Sequence, residues 1–153
     1  MSNAAHDDNQ HRRPHTPPMA APFLEFDLTR ELEQLHGEPG WNDGQNAKTL
    51  VKYDDFRVVL TALKARARLP EHQTKGRISI QTVAGHILVR AEGRTFDLPA
   101  GTLLALDQNL PHDVEALEES AFLITIAWPR GDNQGFGRRL AASSPDEDTV
   151  RST

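Results

Sequence analysis

The sequence contains no cysteine. This excludes disulfide bonds, thiolate metal sites and a cysteine nucleophile. Long apolar runs are also missing: no segment approaches the length of a membrane span, and the first residues lack an apolar stretch of signal-peptide length. We therefore expect a cytoplasmic protein with no membrane partner.

An excess of positive charge is missing as well. The chain has 17 lysines and arginines against 22 aspartates and glutamates, which gives a formal net charge of −5. Dedicated nucleic-acid-binding domains usually carry a basic excess, so we expect no nucleic-acid partner. The sequence also lacks the glycine patterns of dinucleotide-binding folds and P-loops.

Length and composition predict one domain between two tails. Residues 1–22 contain little apolar beyond alanine and Met19, and residues 130–153 are rich in glycine, arginine, serine and aspartate. Neither segment can bury enough apolar surface to offset the entropy lost on ordering. We predict that both tails are disordered and that the folded domain spans residues 23–129.

One short amphipathic helix is predicted near the start of this domain, at about residues 27–36. Asp27 is a good N-cap residue, and Gly37 is a common stop signal. Three leucines share one helical face between them: Leu28, Leu32 and Leu35.

From residue 49 onward, short segments that favour β-structure alternate with turn signals. Many short strands at this spacing are typical of a sandwich or a barrel. The predicted strands are 49–53, 57–65, 67–69, 77–84, 86–91, 94–98, 102–106, 112–116 and 120–128.

Side-chain alternation assigns faces to two of these strands. His112 shares a face with Val114 and Ala116, and we expect that face to point to the core. Residues 121–128 are apolar on both faces. A strand of this kind is either central in its sheet or covered by a second subunit.

Two histidines and two glycines recur at a distinctive spacing. His72 lies thirteen residues before Gly85, and His112 lies eleven residues after Gly101. This spacing resembles the two motifs of the cupin superfamily, G-x5-H-x-H-x3-E-x6-G and G-x5-P-x-G-x2-H-x3-N. The motif positions fall here on Arg66, His72, Thr74, Ile78 and Gly85, and then on Gly101, Asp107, Asn109, His112 and Ala116.

The resemblance implies an all-β fold: a single-domain, cupin-like double-stranded β-helix, or jelly-roll barrel, here with one short N-terminal α-helix. It also implies a homodimer. Asn109 can adopt the left-handed backbone conformation that glycine supplies at this position in the family.

The resemblance implies a metal site that this chain retains only in part. The usual cupin ligands are two histidines and a glutamate from the first motif and one histidine from the second. Here Thr74 replaces the second histidine, and Ile78 replaces the glutamate. His72 and His112 remain as candidate ligands for iron, manganese, nickel or zinc, whereas a catalytic site normally needs three protein ligands. Alternatively, the two histidines hydrogen-bond each other, Thr74 or a water molecule.

We expect a small, largely apolar pocket inside the barrel. Its predicted lining is His72, Thr74, Ile78, Ile80, Thr82 and His112. Arg77 is a candidate contact for an anionic ligand at the barrel mouth, because guanidinium suits carboxylate and phosphate groups. The alternative role for Arg77 is a surface ion pair.

Three functions fit these observations. The first is binding of a small molecule in the barrel without a complete metal site. The second is a metal-dependent enzyme of dioxygenase or isomerase type that uses His72 and His112. The third is a structural or interaction module that acts through its dimer surface. The fold alone does not choose among them, because one barrel hosts many activities.

Overall fold

The computed structural model describes residues 18–129; the remaining residues, including most of both predicted tails, lie outside the described part. One α-helix and a single 3-10 turn precede nine strands. The helix α1 spans Leu28–Gly37 and the 3-10 turn spans Pro39–Asp43. The strands are β1 Gln45–Lys52, β2 Phe56–Leu63, β3 Arg68–His72, β4 Arg77–Ala84, β5 His86–Ala91, β6 Arg94–Pro99, β7 Leu103–Leu106, β8 His112–Ala116 and β9 Ser120–Ala127.

The strands form two antiparallel sheets that face each other. The five-stranded sheet has the order β1-β2-β9-β4-β7, and the four-stranded sheet has the order β3-β8-β5-β6. All pairings between neighbouring strands are antiparallel. This arrangement confirms the predicted all-β jelly-roll architecture with a short N-terminal helix.

The main core lies between the sheets. It is built from alternate residues of the strands, since every second side chain of a strand points to the same face. From β9 these are Phe122, Ile124 and Ile126, and from β4 they are Ile78 and Ile80. All five are buried, and β9 pairs with β4 so that Ile78 lies beside Ile126 and Ile80 beside Ile124.

The helix covers the outer face of the five-stranded sheet. Its N-cap is Asp27, as predicted, and the carboxylate accepts a hydrogen bond from the backbone of Arg30 at 3.3 Å. Leu35 is fully buried against Leu60 and neighbouring side chains of β1 and β2. Burial of one leucine contributes about 1.5–3 kcal/mol, so this contact helps to hold the short helix on the sheet.

The strand that is apolar on both faces, β9, is central in its sheet. Its inner face enters the core, and Leu123 on its outer face packs into the helix cluster. Other parts of the same chain therefore pack against both apolar faces of β9. Homodimer formation stays a prediction.

The first described residues run beside the end of β1. The backbone amide of Lys52 donates to the carbonyl of Met19 at 2.8 Å, and the Tyr53 hydroxyl donates to the carbonyl of Ala21. No helix in residues 18–129 has the length and apolar character needed to cross a membrane.

Several element boundaries differ from the sequence-based prediction. β1 begins at Gln45 rather than at residue 49, because this polar stretch pairs with β2 along its whole length. β3 continues through Pro70 to His72. Proline lacks an amide hydrogen, but β3 is an edge strand, and its register with β8 is irregular between Leu69 and His72.

Candidate functional site

His72 and His112 meet at one end of the barrel. His72 is the last residue of β3, His112 is the first residue of β8, and the two are direct partners across the antiparallel pair. The centroids of the two imidazole rings lie 4.4 Å apart, with the ring planes inclined by 58°. The two histidines predicted to lie close together are therefore neighbours in the structure.

The two imidazoles make the same type of hydrogen bond. Nδ1 of His72 lies 3.0 Å from the carbonyl of Pro70, and Nδ1 of His112 lies 2.9 Å from the carbonyl of Leu110. A carbonyl oxygen only accepts, so Nδ1 carries the hydrogen in each bond. In the neutral ring, Nε2 then carries the lone pair. Within residues 18–129 neither Nε2 has a hydrogen-bond partner, so the rings bind neither each other nor Thr74.

Burial differs between the two rings. His112 is only 2% exposed, whereas His72 is half-buried. Burial lowers the pKa of His112 below its ordinary value of 6.5 because the charged ring would lose hydration. The hydrogen bond to the Leu110 carbonyl acts in the opposite direction and raises the pKa of His112. A positive charge on His72 would lower it further. His112 is therefore neutral near pH 7 and presents Nε2 as an acceptor.

Two turns hold this end of the barrel in shape. Asn109 adopts a φ of 60°, the left-handed conformation that glycine supplies at this position in the cupin motif. Its backbone amide donates to the carbonyl of Thr74 at 2.8 Å. This bond ties the loop before β8 to the loop after β3, and so fixes the two segments that carry the histidines.

The other predicted lining residues have different surroundings. Thr74 is buried, and its hydroxyl accepts from the backbone of Gly76 at 3.2 Å. Ile78 and Ile80 pack in the main core. The Thr82 hydroxyl donates to the carbonyl of Leu98 at 3.0 Å, which links the two sheets. Four residues along β4 separate Thr82 from Ile78, or about 13 Å, so Thr82 lies well away from the histidine end.

Arg77 has the arrangement of a surface ion pair. Its side chain is 63% exposed, and Nε donates to a carboxylate oxygen of Asp107 at 2.9 Å. The pKa of Asp107 is lowered, first by the backbone amide of Gln108 and then by the Arg77 charge. The exposed pair lies on the outside of the strand, whereas the inward face of β4 carries Ile78 and Ile80.

The residues at the barrel end do not match an ordinary catalytic metal site. In residues 18–129 no group of three or more histidines, aspartates and glutamates is placed to hold a metal ion. The side chain of Ile78 has no donor atom. Asp113 and Glu115 are instead paired with Arg90, at 3.2 and 2.5 Å, and the two carboxylates hold the pKa of Arg90 above its ordinary value. Two imidazoles are one ligand short of the usual three.

Arg57 is a buried charged residue that was not among the residues predicted from the sequence. It is the second residue of β2 and is only 3% exposed. Its guanidinium carbon lies 5.4 Å from the ring centroid of Trp128, within cation–π range. Strand alternation offered a signal, because Arg57 has the same parity as the buried Val59 and Leu63.

No protein-family model matches the sequence, and no curated protein matches it. Solved structures do. A conserved protein of unknown function from Streptococcus pyogenes has a TM-score of 0.60 and 19% identity, covering 74% of this chain and 95% of that one. An RmlC-like cupin from Desulfovibrio desulfuricans has a TM-score of 0.52 and 21% identity, covering 74% and 96%. This chain has the cupin fold.

The cupin fold is shared with enzymes as well as with proteins of unknown function. Salicylate 1,2-dioxygenase from Pseudoaminobacter salicylatoxidans, solved with gentisate adducts, has a TM-score of 0.63 at 16% identity. The likeness covers 73% of this chain but 35% of the dioxygenase. At these identities the similarity concerns the cupin barrel and leaves the activity to be argued from the site.

Proposed function

We propose that this cupin binds a small molecule at the His72–His112 end of the barrel, through the two imidazoles rather than through a complete metal site. The observation that carries the proposal is the matched anchoring of both rings. Each Nδ1 is bound to a carbonyl of its own loop, and each Nε2 is left without a partner among residues 18–129.

The donor and acceptor pattern defines the ligand's chemistry. An Nε2 lone pair accepts a hydrogen bond, so the ligand has to present a donor such as a hydroxyl or N–H group. The rings are 4.4 Å apart, which suits one donor group between them or two donors on adjacent atoms. Ile78, a buried core residue, stands where the cupin motif would place an acidic ligand, so this position offers the ligand an apolar side chain.

Binding of this kind also explains why a histidine is buried where an apolar residue would pack. A buried polar ring costs stability unless its hydrogen bonds are made, and His112 makes only one within residues 18–129. Groups retained at such a cost are frequent at binding sites.

A screen of metal-free protein tests the proposal. Protein treated with a chelator is titrated by calorimetry with glycerol, D-glucose, D-gluconate, L-lactate, mandelate and catechol. We expect at least one compound to bind wild type and to lose binding in His72→Ala. The control is His86→Ala, because the His86 ring pairs with Asp97 on another strand pair. Absence of binding, or equal binding to His72→Ala, would contradict the proposal.

A metal-dependent enzyme is the second candidate. Metal-bound histidines typically donate their other ring N–H to a carbonyl or carboxylate, as both histidines do here. Elemental analysis of untagged protein separates the two candidates. About one transition metal per chain, lost in His72→Ala, would favour the enzyme, whereas ligand binding by metal-free protein favours the first proposal.

A further inference from the structure

The edge strands of the two sheets differ in how well they are protected against pairing with a further strand. Within residues 18–129 the edge strands are β1 and β7 of one sheet and β3 and β6 of the other. Charged side chains, prolines and bulges usually block such pairing. β1 contains two lysines and a register shift, β3 contains Pro70 and a register shift, and β6 contains Arg94, Asp97 and Pro99.

β7 has none of these devices and is protected only by its short length. Its residues, Leu103–Leu106, include no charged residue and no proline, and the strand pairs with β4 without a register shift. Leu103 is 57% exposed, more than any other large apolar side chain on a strand within residues 18–129. Ala105 is exposed beside it. The outer edge of β7 is therefore apolar and uncharged.

The direction of the backbone groups of β7 follows from its pairing with β4. In an antiparallel pair, every second residue bonds to the neighbouring strand. The carbonyl of Thr102 accepts from the backbone amide of Thr82 at 3.1 Å, so Leu104, two residues further on, faces β4 in the same way. The amides and carbonyls of Leu103 and Ala105 consequently point away from the sheet, where no strand of residues 18–129 pairs with them.

We propose that this edge pairs with the β7 edge of a second copy of the chain, antiparallel and with a two-fold axis at Leu104. Leu103 of one copy then lies opposite Ala105 of the other, and the two residues exchange both ladder hydrogen bonds. The two-fold axis repeats this pair. Both side chains lie on the outer face of the sheet, because Leu104 between them packs against the core. Each exposed leucine thus covers an alanine of the other copy.

Charge and shape favour a second copy as the occupant. The chain has a net charge of −5, so two copies approach most easily through an uncharged surface. In the proposed register, Asp107 lies opposite Gly101 of the other copy rather than opposite another carboxylate. The large Leu103 beside the small Ala105 makes the edge complementary to itself, as a two-fold interface requires. Because the edge is short, the dimer should be weak and should dissociate on dilution.

Sedimentation velocity of the full chain, over micromolar to near-millimolar concentrations, tests the proposal. We expect a reversible dimer whose dissociation constant rises by about tenfold or more in Leu103→Lys, because a leucine contact is lost and the edge gains a charge. The matched control is Leu117→Lys, because Leu117 is 46% exposed and follows β8 instead of lying on this edge. Leu117→Lys should dimerise as wild type does.

A second variant tests the register and decides the question if Leu103→Lys does not fold. Ala105→Glu should also weaken the dimer by itself. A mixture of Leu103→Lys and Ala105→Glu should regain dimers, since the lysine and the glutamate are directly opposite in the proposed pairing. A mixture of folded variants that stays monomeric would overturn the proposed pairing.

Amide hydrogen exchange of wild type gives a readout that needs no variant. The amides of Leu103 and Ala105 should exchange more slowly as the protein concentration rises, whereas Leu104, already bonded to β4, should change less. Monomers at every concentration would overturn the proposal, as would a dimer that Leu103→Lys and Leu117→Lys weaken equally. Protection of Leu103 and Ala105 in the monomer would show that another segment of the same chain covers the edge, which would overturn the proposal too.

Discussion

Replacement of His112 by residues of two sizes distinguishes a binding residue from a structural one. His112→Ala empties the space of a ring that is 2% exposed. Substitutions of large core residues by alanine cost about 2–5 kcal/mol, so we expect a loss of about 3 kcal/mol in the free energy of unfolding. In a domain of about 100 residues each kcal/mol shifts the melting temperature by about 4–8 °C, which predicts a decrease of about 12–24 °C.

His112→Leu fills the same space without the polar ring. It loses the hydrogen bond to the Leu110 carbonyl, which is worth about 1 kcal/mol, but it no longer buries an imidazole. The two effects oppose each other, so we expect the stability of His112→Leu at pH 7.5 to stay within about 1 kcal/mol of wild type. Ligand binding should nevertheless be lost, because the Nε2 acceptor is gone.

Acidification adds an independent readout of the same ring. The folded state lowers the pKa of His112, so below its ordinary value of 6.5 the unfolded chain binds the proton more readily. The neutral His112 ring therefore makes its full contribution to stability above about pH 6.5. This contribution decreases as the pH falls toward the pKa of His112 in the folded state. Asp107 and Glu115, whose pKa values are also lowered, lose their contributions only in more acidic solution.

Thermal denaturation followed by circular dichroism at pH 7.5 and 5.5 measures both effects. Wild type should lose stability between these values, and His112→Leu should lose less. A melting temperature for His112→Leu more than about 15 °C below wild type at pH 7.5 would refute the reasoning. An acid-induced loss equal to that of wild type would refute it too.

Two further predictions concern the frame of the barrel. A Cβ on Gly85, where φ is +76°, would lie 2.3 Å from the Glu119 carbonyl oxygen, whereas a Cβ on Gly93, where φ is +72°, would meet no atom within 4 Å. In chemical denaturation, Gly85→Ala should therefore lower the free energy of unfolding by at least about 2 kcal/mol more than Gly93→Ala does. Equal losses in the two variants would contradict the predicted clash. Thr82→Val removes the hydrogen bond to the Leu98 carbonyl between the sheets. It should lower the free energy of unfolding by about 1–3 kcal/mol in the same assay, while the ligand affinity measured by calorimetry stays unchanged. A large fall in affinity would instead place Thr82 in the site.

The strands that could be predicted best are those with clear alternation and strong turn signals. β4, β5 and β8 have the predicted bounds, because apolar and polar residues alternate along them and turns such as the one at Gly85 end them. The start of β1 could not be predicted. Its first residues are polar, and they form a strand because β2 is available to pair with them.

The site was predictable in its residues but not in its details. The motif spacing led to His72 and His112, and the structure makes them direct partners. The anchoring of each Nδ1 by a carbonyl two residues earlier depends on loop geometry that no spacing encodes. The ring contact of the buried Arg57 could not be predicted, because Trp128 lies far along the chain, just after β9.

Side-chain nitrogen NMR of the histidines in metal-free protein tests the central claim most directly. The account predicts that at pH 7.5 His112 carries its proton on Nδ1, and that a bound compound shifts the Nε2 signals of both His72 and His112 while leaving His86 unchanged. A proton on Nε2 of His112, or a bound compound that shifts His86 but neither histidine of the pair, would contradict it.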